Sequence, residues 1–223
     1  PIYYMLEYSM LCFPDNHLIQ NRGVEIFQTF AENNINLYSL TIHASIVLMI
    51  AFETFQESSE MYIAFSKLVL CIVSHSESIR EKLVRYGVQD GLSRVLLGFS
   101  VDAAVMALQA LQMLCLNEEE ALAVMEGNSN IFAYVLRALD HFTTDHRVQV
   151  EGLRFVLAIT STPEYHERAN FPQTLAVLKK SRKVLLQVLE QRSLAPGYRY
   201  ADVQAILKNE LLPRADGEKC VIC

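Results

Sequence analysis

Two stretches of this sequence share one layout, and that self-similarity constrains the fold more than any single motif. They are "REKLVRYGVQDGLSRVLLGFSVDAAVMALQALQMLC" (80–115) and "ALAVMEGNSNIFAYVLRALDHFTTDHRVQVEGLRFVLAI" (121–159). Each opens with a short amphipathic helical pattern ending at a glycine, Gly87 and Gly127, forty residues apart. A second helical pattern follows, in which Leu92, Val95 and Leu96 match Phe132, Val135 and Leu136 at the same offset. A third pairs Ala107, Leu108 and Leu111 with Gly152, Leu153 and Val156, now 45 residues apart, because "LDHFTTDHR" lengthens one loop. A period of about 20–50 residues marks a repeat architecture, in which each unit has an apolar face that only its neighbour can bury.

The pattern extends in both directions. "RGVEIFQTFAE" (22–32) reads as the same junction of glycine and helix at Gly23, and "AFSKLVLCIV" (64–73) places Leu68 on Leu111 and Cys71 on Leu114. Downstream, Asn170 takes the glycine position 43 residues after Gly127. Asn is the residue after Gly that best tolerates a left-handed helix stop, and Pro172 suits the first turn of the helix that follows. Tyr200–Leu211 reads as a polar capping helix and Pro213–Cys223 as a flexible tail. The expected organisation is one helical repeat domain over 1–212, clearest between 60 and 191, followed by the tail 213–223.

Short helix, glycine turn, helix, loop, then a longer helix with Ala107 or Gly152 ahead of leucines: this resembles the armadillo repeat. "IREKLVRYGVQDGLSRVLLGFSVDAAVMALQALQMLC" is the best single match, and the resemblance covers residues 17–191. HEAT repeats, built from two helices, are the related alternative. The resemblance implies an all-α, right-handed superhelical α-solenoid of about four to five repeats. It also implies a groove lined by the third helices. Peptide-binding armadillo proteins place Trp and Asn four residues apart on that helix; the corresponding pairs here are Ser66/Leu70, Gln109/Met113 and Arg154/Ala158. Without the Asn ladder, binding of nuclear-localisation signals is not expected. The candidate partner-binding residues are Met106, Gln109, Met113, Glu151 and Arg154, since methionine-bearing surfaces adapt to varied apolar partners. The implied function is a non-catalytic scaffold or regulatory domain whose partners are other proteins. The alternative is a regulatory piece of a larger multidomain enzyme, kinase-like or ubiquitin-ligase, with its catalytic domain elsewhere. The start at Pro1, without an initiator Met, is in keeping with a piece of a longer protein.

Composition narrows the function classes. At 52% hydrophobic residues with 8 Gly and 6 Pro, most of the chain has enough apolar surface to fold. A net charge of −6 opposes general nucleic-acid binding, which needs a basic surface to displace counterions. In "TIHASIVLMIAF" (41–52) the uninterrupted apolar core Ile46–Phe52 is far shorter than the ~20 residues of a membrane span, so a buried helix is expected. "PIYYMLEYSM" lacks the basic start and long apolar run of a signal peptide. Cys12, Cys71 and Cys115 read as small buried hydrophobes of a reducing compartment, which points to the cytoplasm.

No catalytic constellation stands out. The chain has no phosphate-cradling glycine loop, no GxSxG elbow and no HExxH pair. His141, Asp145 and His146 in "HFTTDH" match neither one helical face nor a compact zinc pattern, and read as an inter-helix loop. His43 reads as a hydrogen-bonded core histidine, and Asn117 in "NEEEAL" as a helix cap with three acids at the positive end of the dipole. "KKSRK" (179–183) reads as the solvated side of a helix that buries Leu178, Val184, Leu185 and Val188, or else as a site for an acidic partner or anionic membrane. No cofactor or metal is expected. Cys220 and Cys223 in "CVIC" leave three readings: an incidental tail, a C-a-a-X lipidation box with Cys220 as the modified residue, or half a zinc site. No transmembrane segment is expected, and peripheral membrane contact only if Cys220 carries a lipid.

Overall fold

The computed structural model describes residues 2–33, 37–55, 58–128, 130–160, 172–191 and 193–208. The described residues form helices and no strand. In chain order these are α1 (Ile2–Cys12), α2 (His17–Glu32), α3 (Leu37–Thr54), α4 (Ser59–Val73), α5 (Glu77–Arg85) and α6 (Val88–Val95). Then come α7 (Val101–Met113), α8 (Glu118–Gly127), α9 (Ile131–His141), α10 (His146–Thr160), α11 (Pro172–Gln191) and α12 (Tyr200–Lys208).

Local chemistry sets where the long helices begin. The side chains of Asn16, Ser58 and Ser100 accept from the backbone N–H three residues on, at Ile19, Met61 and Ala103. Asp145 accepts from Arg147 and Val148 in the same way. Each satisfies N–H groups that the first helical turn cannot, a contribution of about 1 kcal/mol per cap. The capping positions 16, 58, 100 and 145 recur at intervals of 42, 42 and 45 residues. The helices they start pack in chain order, α2 on α4, α4 on α7 and α7 on α10, with α11 following on α10. A second series, α1 with α3, α3 with α6, α6 with α9 and α9 with α11, lies against the first, and the short α5 and α8 touch each other at its edge.

One contiguous core results, with Phe27, Phe65, Phe155, Leu68 and Leu92 among the fully buried side chains. The expected register holds in the centre: Leu92, Val95, Leu96, Ala107, Leu108 and Leu111 are all buried, as are Phe132, Val135, Leu153 and Val156. Gly87 has φ 75, the left-handed conformation expected of a turn glycine between α5 and α6. Residues 41–52 lie inside α3, and no described helix is long and apolar enough to cross a membrane. Pro172 opens α11 as expected, while Asn170 and the tail 209–223 lie outside the described residues.

Four expectations are corrected. Gly23 is not at a turn between helices but inside α2, where an added Cβ would lie 2.3 Å from Met10 Sδ. Its counterpart is Gly152, where a Cβ would lie 2.6 Å from Leu139 Cδ2. In both places glycine lets a long helix approach the helix before it. The match extends to their surroundings. Gln20 Nε2 donates to the carbonyls of Met10 and Phe13, and Gln149 Nε2 donates to those of Leu139 and Phe142. The α1–α2 pair therefore corresponds to α9–α10, 129 residues later. Gly127 ends α8 as expected, but without a positive φ; a Cβ there would meet Gln89 Nε2 at 2.4 Å, so space and not backbone conformation favours glycine. Of Cys12, Cys71 and Cys115 only Cys115, just beyond the end of α7, is buried; Cys71 is half-buried and Cys12 exposed. "KKSRK" is not one solvated face, because Ser181 and Arg182 are buried and Arg182 Nη1 donates to the Leu207 carbonyl at the end of α12.

Leu111 sits fully buried where α4, α7 and α10 meet in series. Its replacement by Ala should lower unfolding stability by about 2–5 kcal/mol through the cavity left behind, read from the urea midpoint of helical circular dichroism. A near-neutral variant would displace α7 from the centre of the core.

Candidate functional site

The candidate surface lies on α7 and α10, whose one-helix spacing brings residues some 40 apart into contact. Gln109 and Gln112 share a face of α7, three residues apart. Opposite them on α10 is Glu151, only 2% exposed. Gln109 Nε2 donates to its carboxylate at 3.0 Å, and Gln112 Nε2 donates both to the carboxylate at 2.9 Å and to the Glu151 carbonyl at 2.8 Å. Arg154, one helical turn on, is 3.3 Å from the same carboxylate and reaches Asp202 of α12 at 3.5 Å. Burying a carboxylate is costly unless donors surround it, and here three side chains from two helices do so.

The segment leading into α12 closes this network from the far side. Burial, then the Glu151 charge, pushes the Tyr198 phenol well above its ordinary range. The Ala195 N–H donates to His146 Nε2 at 2.8 Å, so that nitrogen must carry a lone pair. Burial lowers the His146 pKa, outweighing the attraction of Asp145 for its charged form. Asp145 itself is raised by burial but held lower overall by the Arg147 guanidinium and the Arg147 and Val148 N–H groups. Arg147 also reaches Asp102 on α7 at 2.9 Å, a second polar link between α7 and α10.

Of the residues expected at the surface, Gln109, Glu151 and Arg154 converge in this one network, and Glu151 is committed to internal donors. Met106 is half-exposed one turn before Gln109 and is not among the side chains packed on the core, whereas Met113 is. The expected pairing of α4 with α7 shifts by one residue: the caps Ser58 and Ser100 lie 42 residues apart, so exposed Lys67, and not Ser66, is the counterpart of Gln109, and Val69 rather than Leu68 that of Leu111, while Ser66 is buried like Leu108. Cys220 lies outside the described residues. His141, Asp145 and His146 do not come together: His141 meets the Phe99 and Phe142 rings, Asp145 holds Arg147, and His146 holds Ala195. Among the described residues no group of three His, Cys, Asp or Glu could hold a metal. His43 is the buried, hydrogen-bonded histidine expected, paired with Glu7. Asn117 caps α8 as expected, while Glu120, read only as a dipole partner, is buried and bridges Arg80 at 2.6 Å and the Leu116 N–H at 3.0 Å.

Sequence reading missed Gln112, Tyr198 and Asp202. Gln112 could have been found from its i+3 relation to Gln109; the other two depend on how α12 folds back, which no local pattern encodes. Comparison with family models, with curated proteins and with solved structures returned no match to this chain.

Glu151→Ala should cost about 2–4 kcal/mol, because it removes a buried side chain and strands two half-buried amides and Arg154, while Glu151→Gln should cost less than half of that. The two urea midpoints check this. The depressed His146 pKa has a pH consequence. The fold favours the neutral ring, so its contribution is complete above the ordinary value of 6.5 and is lost as pH falls from there through the lower folded value. His146→Gln, which keeps an acceptor but cannot titrate, should flatten the fall in urea midpoint below that pH; equal slopes would refute the assignment.

Proposed function

We propose that this chain is an armadillo-like α-solenoid that binds segments of other proteins on the outward side of its long-helix series, and that it acts as a scaffold or regulatory arm without chemistry of its own. The observation that carries the reading is the evenly spaced set of capped helices α2, α4, α7 and α10, packed in chain order. Helices so arranged bury one side in the core and present a continuous strip of side chains on the other, as repeat proteins do for their partners. The grouping α5–α6–α7 and α8–α9–α10 gives two full three-helix units; α1–α2 and α3–α4 are units lacking a described first helix, which brings the count to about four.

The partner-facing strip centres on Met106, with Lys67 and Leu70 on α4 and Leu157 on α10 also at least partly exposed. Gln109 and Arg154 shape this strip from below through Glu151 and so position it more than they contact a partner. The equivalent positions on successive long helices are Lys67, Gln109 and Arg154, so the strip offers mixed charged and amide groups and no asparagine ladder to grip an extended peptide backbone. Apolar side chains with a basic edge suit a partner segment that offers apolar anchors and an acidic flank.

A Lys67→Glu/Met106→Glu double variant tests the reading, since neither side chain is packed on the core. Its thermal unfolding should match the parent, while affinity for a purified partner, first isolated by capture on the parent chain, should fall about tenfold or more. Unchanged affinity would move the binding surface off this strip.

A further inference from the structure

We infer, resting on the strip proposed above, that residues 194–202 stand in for a partner: they occupy the α10 end of the strip, and a segment carrying a tyrosine followed four residues later by an acid displaces them. Register locates the seat. The caps at 58, 100 and 145 place Ala64, Met106 and Glu151 at one position of α4, α7 and α10, and Lys67, Gln109 and Arg154 one turn further on. Ala64 and Met106 are half-exposed, whereas Glu151 is 2% exposed. On α10, then, the strip is covered, and residues 194–202 are part of the cover. The Ala195 N–H donates to His146 Nε2 at 2.8 Å, and the Tyr198 and His146 rings meet edge to face with centroids 6.2 Å apart. The Tyr198 phenol lies beside the Glu151 charge, and Asp202 pairs with Arg154 at 3.5 Å.

A terminal cap has no need of these contacts. The last helix of the stacked series is α11, and α12 is already tied to it by the bond from Arg182 to the Leu207 carbonyl. The contacts to His146, Glu151 and Arg154 reach past α11 onto the strip, and they hold less firmly than core packing. The Arg154 and Asp202 side chains are 33% and 27% exposed, so solvent screens their attraction. Tyr198 Oη is buried beside Glu151 yet makes no hydrogen bond at ordinary distance, which leaves a polar group unsatisfied. Nine residues are too few for α12 to hold its helix unaided. Gly197, at φ 91 with nothing packed around it, makes the turn that brings Tyr198 onto α10. A partner segment that offers the same phenol to Glu151 and the same carboxylate to Arg154, in better geometry, can take the seat.

Fluorescence anisotropy with a labelled peptide of residues 193–208 tests this on the full chain. Tyr198→Ala/Asp202→Lys should unseat the segment. The peptide should then bind the variant at least tenfold more tightly than the parent, whose own segment competes at high effective concentration. A peptide carrying the same two changes should bind neither chain. Equal peptide affinity for parent and variant overturns the inference. If the variant loses helix beyond α12, hydrogen exchange of the parent decides. Amides of α12 should exchange at least tenfold faster than those of α10, and equal protection overturns the inference. Affinity for a partner captured on the parent distinguishes failure of the seat from failure of the strip, and it should rise about tenfold on unseating. A partner weakened by Lys67→Glu/Met106→Glu but indifferent to unseating overturns the seat and leaves the strip. A partner indifferent to Lys67→Glu/Met106→Glu overturns both.

Discussion

The packing of each long helix on the next, α2 on α4, α4 on α7 and α7 on α10, is the constraint on which the rest of the structure depends. None of these helices can bury its apolar side alone, and each supplies one wall for its neighbour. The second series fills the other side, and glycine or alanine at the closest crossings keeps the two series in contact. Gly23 against Met10 and Gly152 against Leu139 are such crossings, and each leaves no room for a methyl group without moving a side chain. The repeated glutamine clamps at Gln20 and Gln149 then tie the end of the preceding helix to the start of the next, satisfying carbonyls that a helix terminus leaves open.

Polar groups enter this apolar stack only where they are held from several sides. Glu151 accepts from two glutamines on α7 and pairs with Arg154, and Glu120 joins α8 to Arg80 on α5. Apolar packing tolerates sliding of one helix along another; a carboxylate enclosed by three donors does not. A shift of one turn between α7 and α10 would strand Glu151 without Gln109 or Gln112. Such sites contribute to specificity of register more than to net stability, because their desolvation cost offsets much of their attraction.

What could be read from the sequence divides along the same line. Gly87 and the apolar positions of α6, α7 and α9 were legible because they depend on helical periodicity and on one turn conformation, both of which are local. Gly23 was misread because glycine marks two different needs, a left-handed φ and a close approach, and the letter alone does not say which. The residues around it do. "NHLIQNRG" (16–23) and "DHRVQVEG" (145–152) share a capping residue, a histidine, a glutamine and the glycine in the same register. In both, the histidine reaches a later segment: His17 Nε2 lies 3.1 Å from the Ser58 hydroxyl, and His146 Nε2 accepts from Ala195. The burial of Arg182 and Glu151, by contrast, is set by α12 and by the α7–α10 crossing. No local pattern in "KKSRK" or "RVQVEGL" separates a buried charge from a solvated one.

The same distinction separates the proposed partner strip from the exposed face of α1. The strip around Met106 is defined by position: it is the side of the long helices that the core leaves over, and its residues are an ordinary mix of apolar, amide and basic groups. Its recognition must therefore come from shape and from how Glu151 holds Gln109 and Arg154 in place. The α1 stripe is defined by composition: in the equivalent helix α9 the same positions are Ala133, Arg137 and Asp140, so Tyr4, Tyr8 and Leu11 depart from what folding of the array requires. A departure that folding does not need, and that exposes aromatic surface to water, is retained at a solubility cost unless something covers it.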